Sequence, residues 1–268
     1  MNNLKMQLIE TIVAILVLTS EGTSENSNSY KAAVAQHASM GSANSPQDTV
    51  ALNIAAYSNI TKQAAAQGAQ IITFPEWGLF GDENPQLKRE TIIPFCETIN
   101  DSLSSPTVNQ LSALARANSI VIVSNVCEQT EEGKLYNTEV AFSETGNLIA
   151  KYHKMHPWFP KTFDTPPEEI ITFTTSWGVT FGLIICYDIV HSQPVKDLLS
   201  LGVRHFPYSV SFPVEFISSN GFRMFSKMKS VALLASDLGK GGSGLFVKGK
   251  SVGTISEDGS FILGEVAV

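Results

Sequence analysis

A glutamate, a lysine and a cysteine each stand at the end of an apolar stretch of the sequence. Glu76 ends "IITFPE", Lys154 ends "LIAKYHK" and Cys186 ends "FGLIIC". A thiol becomes a nucleophile when a base or a cation beside it favours the thiolate. Glu76 and Lys154 supply one group of each kind, so the three residues together predict thiol chemistry.

Each of the three residues also has a simpler explanation when it is considered alone. Cys186 is typical of a core position, because free cysteine is among the most buried residue types. Glu76 and Lys154 could be ordinary solvated residues at strand ends. Their shared position favours the functional explanation, since sites in open α/β sheets form at the carboxyl ends of the strands.

The apolar pattern predicts strands and helices in alternation, with two hairpins inserted. Strands are predicted over residues 30–38, 69–77, 120–128, 203–211, 242–249 and 260–266, and hairpins over 133–154 and 168–188. Helices are predicted over residues 50–67, 104–119 and 193–202, and a last helix, interrupted near Asn220 and Gly221, with a following strand over 214–237. This order predicts one domain with a layered α/β sandwich.

The first residues are typical of a secretory leader. Lys5 precedes an apolar run from Ile12 to Leu18, and a Ser/Thr/Asn-rich stretch follows. We therefore predict a signal peptide over residues 1–24, a single domain over 25–268 and a secreted, extracellular protein; a disordered N-terminus is the alternative. The apolar run is too short to span a bilayer, and no transmembrane segment is predicted elsewhere.

The cysteines and two sequons fit a secreted protein. The chain has three cysteines, and an odd number in a secreted protein indicates one bridge and one free thiol. We predict a bridge between Cys96 and Cys127, which leaves Cys186 free. The triplets that begin at Asn59 and Asn100 are candidate glycosylation sites.

Several other classes of function find no support in the sequence. The net charge of −7 gives no basic surface for nucleic acid. The "GKGGSG" segment precedes a strand-like pattern, whereas a dinucleotide-binding loop must open a helix. His153 and His156 lack a third ligand nearby, so no metal is predicted. No cofactor is predicted either, and the expected partner is a small molecule.

The segments around Glu76, Lys154 and Cys186 resemble the motifs of the nitrilase superfamily of carbon–nitrogen hydrolases, in particular its vanin/biotinidase branch. They read "ITFPEWGLFG", "YNTEVAFSETGNLIAKYHK" and "GVTFGLIICYDIVHSQPV", in the family's order, and "LLASD…GGSG" also resembles that branch. The resemblance extends from about Tyr30 to the C-terminus. It implies an α/β fold of the four-layer αββα sandwich type.

The resemblance also implies roles for individual residues. Glu76 would be the general base, Lys154 the oxyanion stabiliser and Cys186 the acylated nucleophile, with the backbone N–H of Tyr187 completing the oxyanion hole. The implied reaction is hydrolysis of a small linear amide: vanins hydrolyse pantetheine to pantothenate and cysteamine, and biotinidases release biotin from biocytin. Asp188 is then expected to brace the turn that follows the nucleophile.

Two departures from the family pattern keep alternatives open. Lys161 lies near the place where many nitrilases carry a second active-site glutamate, and "FPYSVSF" replaces a segment that usually contains tryptophan in this branch. The leading expectation is a secreted pantetheine hydrolase. The alternatives are a biotinidase-like or other small-amide hydrolase, and a secreted binding protein that retains the fold with weak catalysis.

Overall fold

Two β-sheets form the centre of the computed structural model, which describes residues 29–42, 44–80, 88–99, 105–212, 215–239 and 241–268. Residues Tyr30–Val266 make up one compact unit. The predicted signal peptide, residues 1–24, lies outside the described part of the chain.

The first sheet contains eight strands: β1 (Ser29–Ala35), β2 (Ile71–Thr73), β3 (Cys96–Glu97), β4 (Val121–Gln129), β5 (Leu135–Phe142), β6 (Leu148–His153), β14 (Thr254–Ile255) and β15 (Phe261–Ala267). Their order is β14-β15-β1-β2-β4-β5-β6, with β3 paired to β4. Strands β1, β2 and β4 run parallel, whereas β4, β5 and β6 form an antiparallel meander.

The second sheet contains seven strands: β7 (Thr172–Thr174), β8 (Thr180–Gly182), β9 (Ile184–Ile185), β10 (His205–Val210), β11 (Ala232–Asp237), β12 (Gly244–Val247) and β13 (Lys250–Val252). Their order is β13-β12-β11-β10-β8-β7, with β9 paired to β10. Both predicted hairpins are confirmed, as β5–β6 and β7–β8.

Helices cover the outer face of each sheet. The helices are α1 (Pro46–Ala66), α2 (Arg89–Ile92), α3 (Pro106–Asn118), α4 (Val195–Ser200) and α5 (Glu215–Lys229), with 3-10 turns at Ile93–Phe95 and Cys186–Val190. One apolar cluster packs α1 and α3 against the first sheet, and another packs α4 and α5 against the second. A third fills the space between the sheets. These three apolar layers confirm the four-layer αββα sandwich.

The last helix differs from the sequence prediction. We predicted an interruption near Asn220 and Gly221, but α5 runs unbroken from Glu215 to Lys229. Glycine inside a helix costs only about 1 kcal/mol. Phe222, on the same helix, is buried in the apolar cluster beside the second sheet. We attribute the unbroken helix to such packing, which outweighs the weak local preference of glycine.

The predicted disulfide is confirmed: Cys96 is bonded to Cys127, and Cys186 is free. The bridge joins partners on the adjacent strands β3 and β4. The glycine-rich segment leads into strand β12, which agrees with our rejection of a dinucleotide-binding loop. Within the described residues, no helix is long and apolar enough to cross a membrane.

Candidate active site

Glu76 is placed by a turn that follows β2. The backbone N–H of Phe74 still bonds to the carbonyl of Val123 on β4, and the chain then leaves the sheet. Trp77 has a φ of +63°, in the left-handed region, and its N–H donates to Oδ1 of Asn125 at 3.1 Å. The turn therefore directs Glu76 inward, where only 1% of the residue is exposed.

Lys154 follows β6 directly and pairs with Glu76. Its Nζ lies 2.6 Å from Oε1 of Glu76, and both side chains are buried. Asn137 on β5 fixes both partners, since its Nδ2 donates to the same carboxylate oxygen at 2.8 Å and its carbonyl accepts from the N–H of Lys154, also at 2.8 Å. A buried ion pair needs such additional hydrogen bonds to offset its desolvation.

Cys186 stands on a sharp turn immediately after β9. Its φ of +41° is unusual for a residue with a side chain and resembles the strained turn that presents a nucleophile at a strand end. Tyr208 on β10 donates its hydroxyl to the carbonyl of Cys186 at 2.8 Å. The thiol is buried, and the Glu76 carboxylate and the backbone N–H of Ser211 are near enough to shift its pKa, the first raising it and the second lowering it.

Asp188 braces this turn, as expected. Its Oδ2 accepts from the N–H of Ile185 at 3.1 Å and from the hydroxyl of Tyr152 at 2.8 Å. Its Oδ1 accepts from the backbone N–H of His156 at 2.9 Å and lies 2.9 Å from Nδ1 of the same residue. The carboxylate, which is fully buried, therefore joins the cysteine turn to the segment that follows Lys154.

The charges around the thiol favour a neutral resting cysteine. Burial and the nearby carboxylate of Glu76 raise the pKa of Cys186 well above its ordinary value. Burial lowers the pKa of Lys154, but the acidic groups of Cys186, Glu76 and Asp188 outweigh it and hold that pKa above the usual range. The site therefore combines a neutral thiol, Cys186, with a nearby carboxylate, Glu76, and a lysine, Lys154, that remains charged.

The structure thus brings Glu76, Lys154 and Cys186 together. Lys161, in contrast to the buried Glu76 and Lys154, is exposed. Tyr187 follows the cysteine directly and packs its ring against Trp158, with centroids 4.8 Å apart. Asn59 is exposed on α1, and Asn100 lies outside the described residues.

Four polar residues behind the site were not found from the sequence: Asn125, Asn137, Glu139 and Ser209. Asn125 donates from Nδ2 to Oδ1 of Asn137 at 2.6 Å. Because Asn137 itself donates to Glu76, Asn125 holds the residue that holds the carboxylate. Asn137 and Glu139 alternate along β5 and share its inner face. A polar residue at alternate positions of an otherwise apolar strand was the signal that could have revealed them.

Both histidines near Lys154 are held by carboxylates. Nε2 of His153 lies 2.8 Å from Glu128 and its Nδ1 lies 2.6 Å from Glu169. Burial lowers the pKa of His153, but the two glutamates outweigh it and raise that pKa to about 9. His156 faces Asp188 and stacks on His191. Within the described part of the chain, no three His, Cys, Asp or Glu residues are grouped as metal ligands.

Comparison with known proteins agrees with this geometry. Residues 31–220 match the Carbon-nitrogen hydrolase family. Biotinidase from Takifugu rubripes is 34% identical over 205 residues, which are 66% of this chain and 40% of that protein. A pantetheine hydrolase from Homo sapiens is 33% identical over 226 residues, which are 70% of this chain and 42% of that protein.

A solved structure extends the comparison to the fold. Nit3 of Saccharomyces cerevisiae, a member of branch 10 of the nitrilase superfamily, superposes with a TM-score of 0.72 at 21% identity, covering 89% of this chain and 90% of that one. The chain spans less than half the length of the two sequence relatives. Since the family match covers well over half of its residues, the chain belongs to the carbon–nitrogen hydrolase family, in the vanin/biotinidase branch of the nitrilase superfamily.

Proposed function

We propose that this protein is a secreted thiol amidohydrolase that cleaves the amide bond of pantetheine into pantothenate and cysteamine. The observation that carries the proposal is the Glu76–Lys154 pair, buried against the thiol of Cys186. Catalysis of this kind needs a nucleophile, a base within hydrogen-bond reach of it, and a cation for the developing oxyanion. These three residues supply one group of each kind.

In the first half of the reaction, Glu76 takes the proton of the Cys186 thiol as sulfur attacks the amide carbonyl. Lys154 and the backbone N–H of Tyr187 stabilise the negative charge that forms on the carbonyl oxygen. Glu76 then gives its proton to the leaving amine, so the C–N bond breaks and cysteamine departs. The acyl group remains on sulfur as a thioester.

In the second half, water replaces the amine. Glu76, again a carboxylate, takes a proton from the water as its oxygen attacks the thioester carbonyl. The C–S bond breaks, the proton returns from Glu76 to the sulfur, and the pantothenate acid is released. The high pKa of Cys186 fits this scheme, because a neutral thiol must be deprotonated as it attacks and the carboxylate of Glu76 is near enough to raise that pKa.

The substrate is proposed from the relatives. Similar proteins include pantetheinases and a pantetheine hydrolase, which supports pantetheine as the amide. A specific observation favours a second candidate, biocytin, since biotinidase from Takifugu rubripes is also similar over 205 residues. The intact Glu76–Lys154–Cys186 cluster favours an enzyme over the binding protein considered from the sequence.

The direct test is to incubate the purified protein with pantetheine and to quantify cysteamine and pantothenate by mass spectrometry. Cys186→Ala is the matched control, because it removes only the sulfur. Release by the wild type and none by Cys186→Ala supports the proposal. Hydrolysis of biocytin alone would replace pantetheine by biocytin, and a folded wild type that cleaves neither amide would contradict an amidohydrolase of this branch.

Secretion has its own test. The full chain is expressed in cultured eukaryotic cells, and the protein in the medium is analysed at its N-terminus. We expect a mature protein that begins near residue 25, whereas retention inside the cell with residues 1–24 intact would contradict the proposed leader. Treatment with a glycosidase reports whether Asn59 or Asn100 carries a glycan.

A further inference from the structure

A second buried carboxylate, Glu139, lies behind the Glu76–Lys154 pair and takes no direct part in the proposed reaction. It is fully buried on β5, in the first sheet. Its Oε1 lies 2.5 Å from Oγ of Ser209, on β10 of the second sheet. The same serine oxygen lies 2.6 Å from the carbonyl oxygen of Phe74, two residues before Glu76.

The number of hydrogens available to Ser209, Glu139 and the carbonyl of Phe74 indicates whether Glu139 is protonated. The carbonyl of Phe74 can only accept, and the hydroxyl of Ser209 has one hydrogen. If Ser209 donates to Phe74, its short contact with Glu139 needs a second hydrogen, which only a protonated Glu139 supplies. An ionised Glu139 would compete with Phe74 for the single serine hydrogen.

The neighbouring strand offers a comparison. Ser236 on β11 lies in register with Ser209 and also reaches across to the first sheet, where its Oγ donates to the carbonyl of Ala35 at 2.7 Å. That contact uses the one hydroxyl hydrogen and requires no acid. Of these two serines, Ser209 is therefore the one whose contacts need a second hydrogen.

The surroundings of Glu139 also disfavour a charge. Glu76 and Lys154 already neutralise each other, so an ionised Glu139 would add an unbalanced negative charge, and Tyr57 on α1 brings no cation. Asn125 lies beside Glu139, but its amide donates to Asn137 and to the carbonyl of Thr138. Oε2 of Glu139 has no hydrogen-bond partner in the part of the chain described. An unpaired, buried carboxylate oxygen costs more when it is charged.

We infer that Glu139 is a neutral carboxylic acid at neutral pH and a positioning residue for Glu76, acting through a hydrogen-bond chain from Glu139 to Ser209 to the carbonyl of Phe74. The chain joins the two sheets directly beneath the base. It fixes the backbone from which Glu76 extends, and it leaves Glu76 as the carboxylate that faces the thiol. Burial raises the pKa of Glu139 well above its ordinary value, in agreement with this state.

The protonation state is tested without any substrate, by infrared difference spectroscopy on the full chain labelled with ¹³C-glutamate. We expect a protonated carboxyl band at pH 7 that is absent from Glu139→Gln and shifts in Ser209→Ala. Ser236→Ala, which removes the corresponding serine of the next strand, should leave the band in place. If no band is lost in Glu139→Gln, Glu139 is ionised and the inference is wrong.

The positioning role rests on the proposed function and is tested by activity. Glu139→Gln keeps the shape and can donate an N–H to Ser209, so we expect kcat and the pH profile to remain within a factor of about three, whereas Glu139→Leu should lower kcat by about 10–100-fold with a smaller effect on KM. A Gln variant as inactive as Leu, or one that loses the acidic limb of the pH profile, would make Glu139 a required carboxylate and overturn the positioning role. If the wild type cleaves no amide, the proposed function fails but the infrared result still decides the state of Glu139.

Discussion

The Nζ atom of Lys154 lies 2.6 Å from Oε1 of Glu76, and each side chain is only 1% exposed. Removing one partner of such a pair leaves an uncompensated buried charge. We expect Lys154→Met to lower the free energy of unfolding by about 3–5 kcal/mol. The measurement is urea denaturation followed by circular dichroism.

The matched control for this pair is the double variant Glu76→Gln with Lys154→Met. Because it has no buried charge left unpaired, it should be more stable than Lys154→Met alone, although both should be inactive. A double variant whose loss equals the sum of the two single losses would show that the two residues do not interact.

Glu76 should also control the reactivity of the thiol. Burial and the carboxylate of Glu76 both raise the pKa of Cys186, so replacing Glu76 by Gln removes one of these effects, leaves Lys154 unopposed and should lower that pKa. Alkylation by iodoacetamide follows the thiolate. We therefore expect Glu76→Gln to shift the midpoint of the alkylation rate to lower pH, as measured by mass spectrometry, while amide hydrolysis is lost. A midpoint that stays or rises would mean that Glu76 does not face the thiol.

His153 should make stability depend on pH above neutrality. Its pKa is about 9 in the folded protein, against 6.5 for an unperturbed histidine, because Glu128 and Glu169 outweigh the effect of burial. The folded state therefore binds the proton more tightly, and its contribution is complete below pH 6.5 and is lost as the pH rises through 9. The free energy of unfolding should fall over this interval in the wild type.

His153→Gln is the control for this pH dependence. It cannot titrate, so the decline between pH 6.5 and 9 should be smaller than in the wild type. Thermal unfolding at several pH values measures the difference. Parallel curves for the two proteins would show that the histidine is not protonated between its two glutamates.

The disulfide should contribute substantially to stability. It closes a chain segment with a sequence separation of 31, and loop entropy of this size corresponds to about 3–4 kcal/mol. We expect the double variant Cys96→Ala with Cys127→Ala to lose that amount in urea denaturation without dithiothreitol. Reduction should lower the stability of the wild type but leave the double variant unchanged, and an equal effect on both would contradict the bridge.

From the sequence, the strands that carry the site were predicted well, whereas the buried polar residues behind the site were not. Glu76, Lys154 and Cys186 were found because each follows an apolar strand, and strand ends meet at one edge of a sheet. Glu139 was missed because its contact, Ser209, is 70 positions away on the other sheet. Periodicity describes the face of a strand, but it does not specify which strand of a second sheet lies opposite.

Local rules also failed where packing overrides them. Gly221 was interpreted as a break, yet α5 passes through it. The family pattern placed Lys161 near the position of a second active-site glutamate, and the structure shows that Lys161 is exposed. The exposure of a loop residue depends on what the loop packs against, which the sequence alone does not specify.

At the left-handed turn of Cys186, the residue that would be most stable differs from the residue that the proposed reaction requires. At a φ of +41°, glycine is the residue without steric strain, because it has no Cβ. The protein therefore retains, at its most reactive position, a residue that lowers the stability of the turn. Cys186→Gly and Cys186→Ala both lack the thiol and differ only in Cβ. We expect the glycine variant to be more stable than the alanine variant by about 1 kcal/mol in urea denaturation, and equal stability would show that the turn is unstrained.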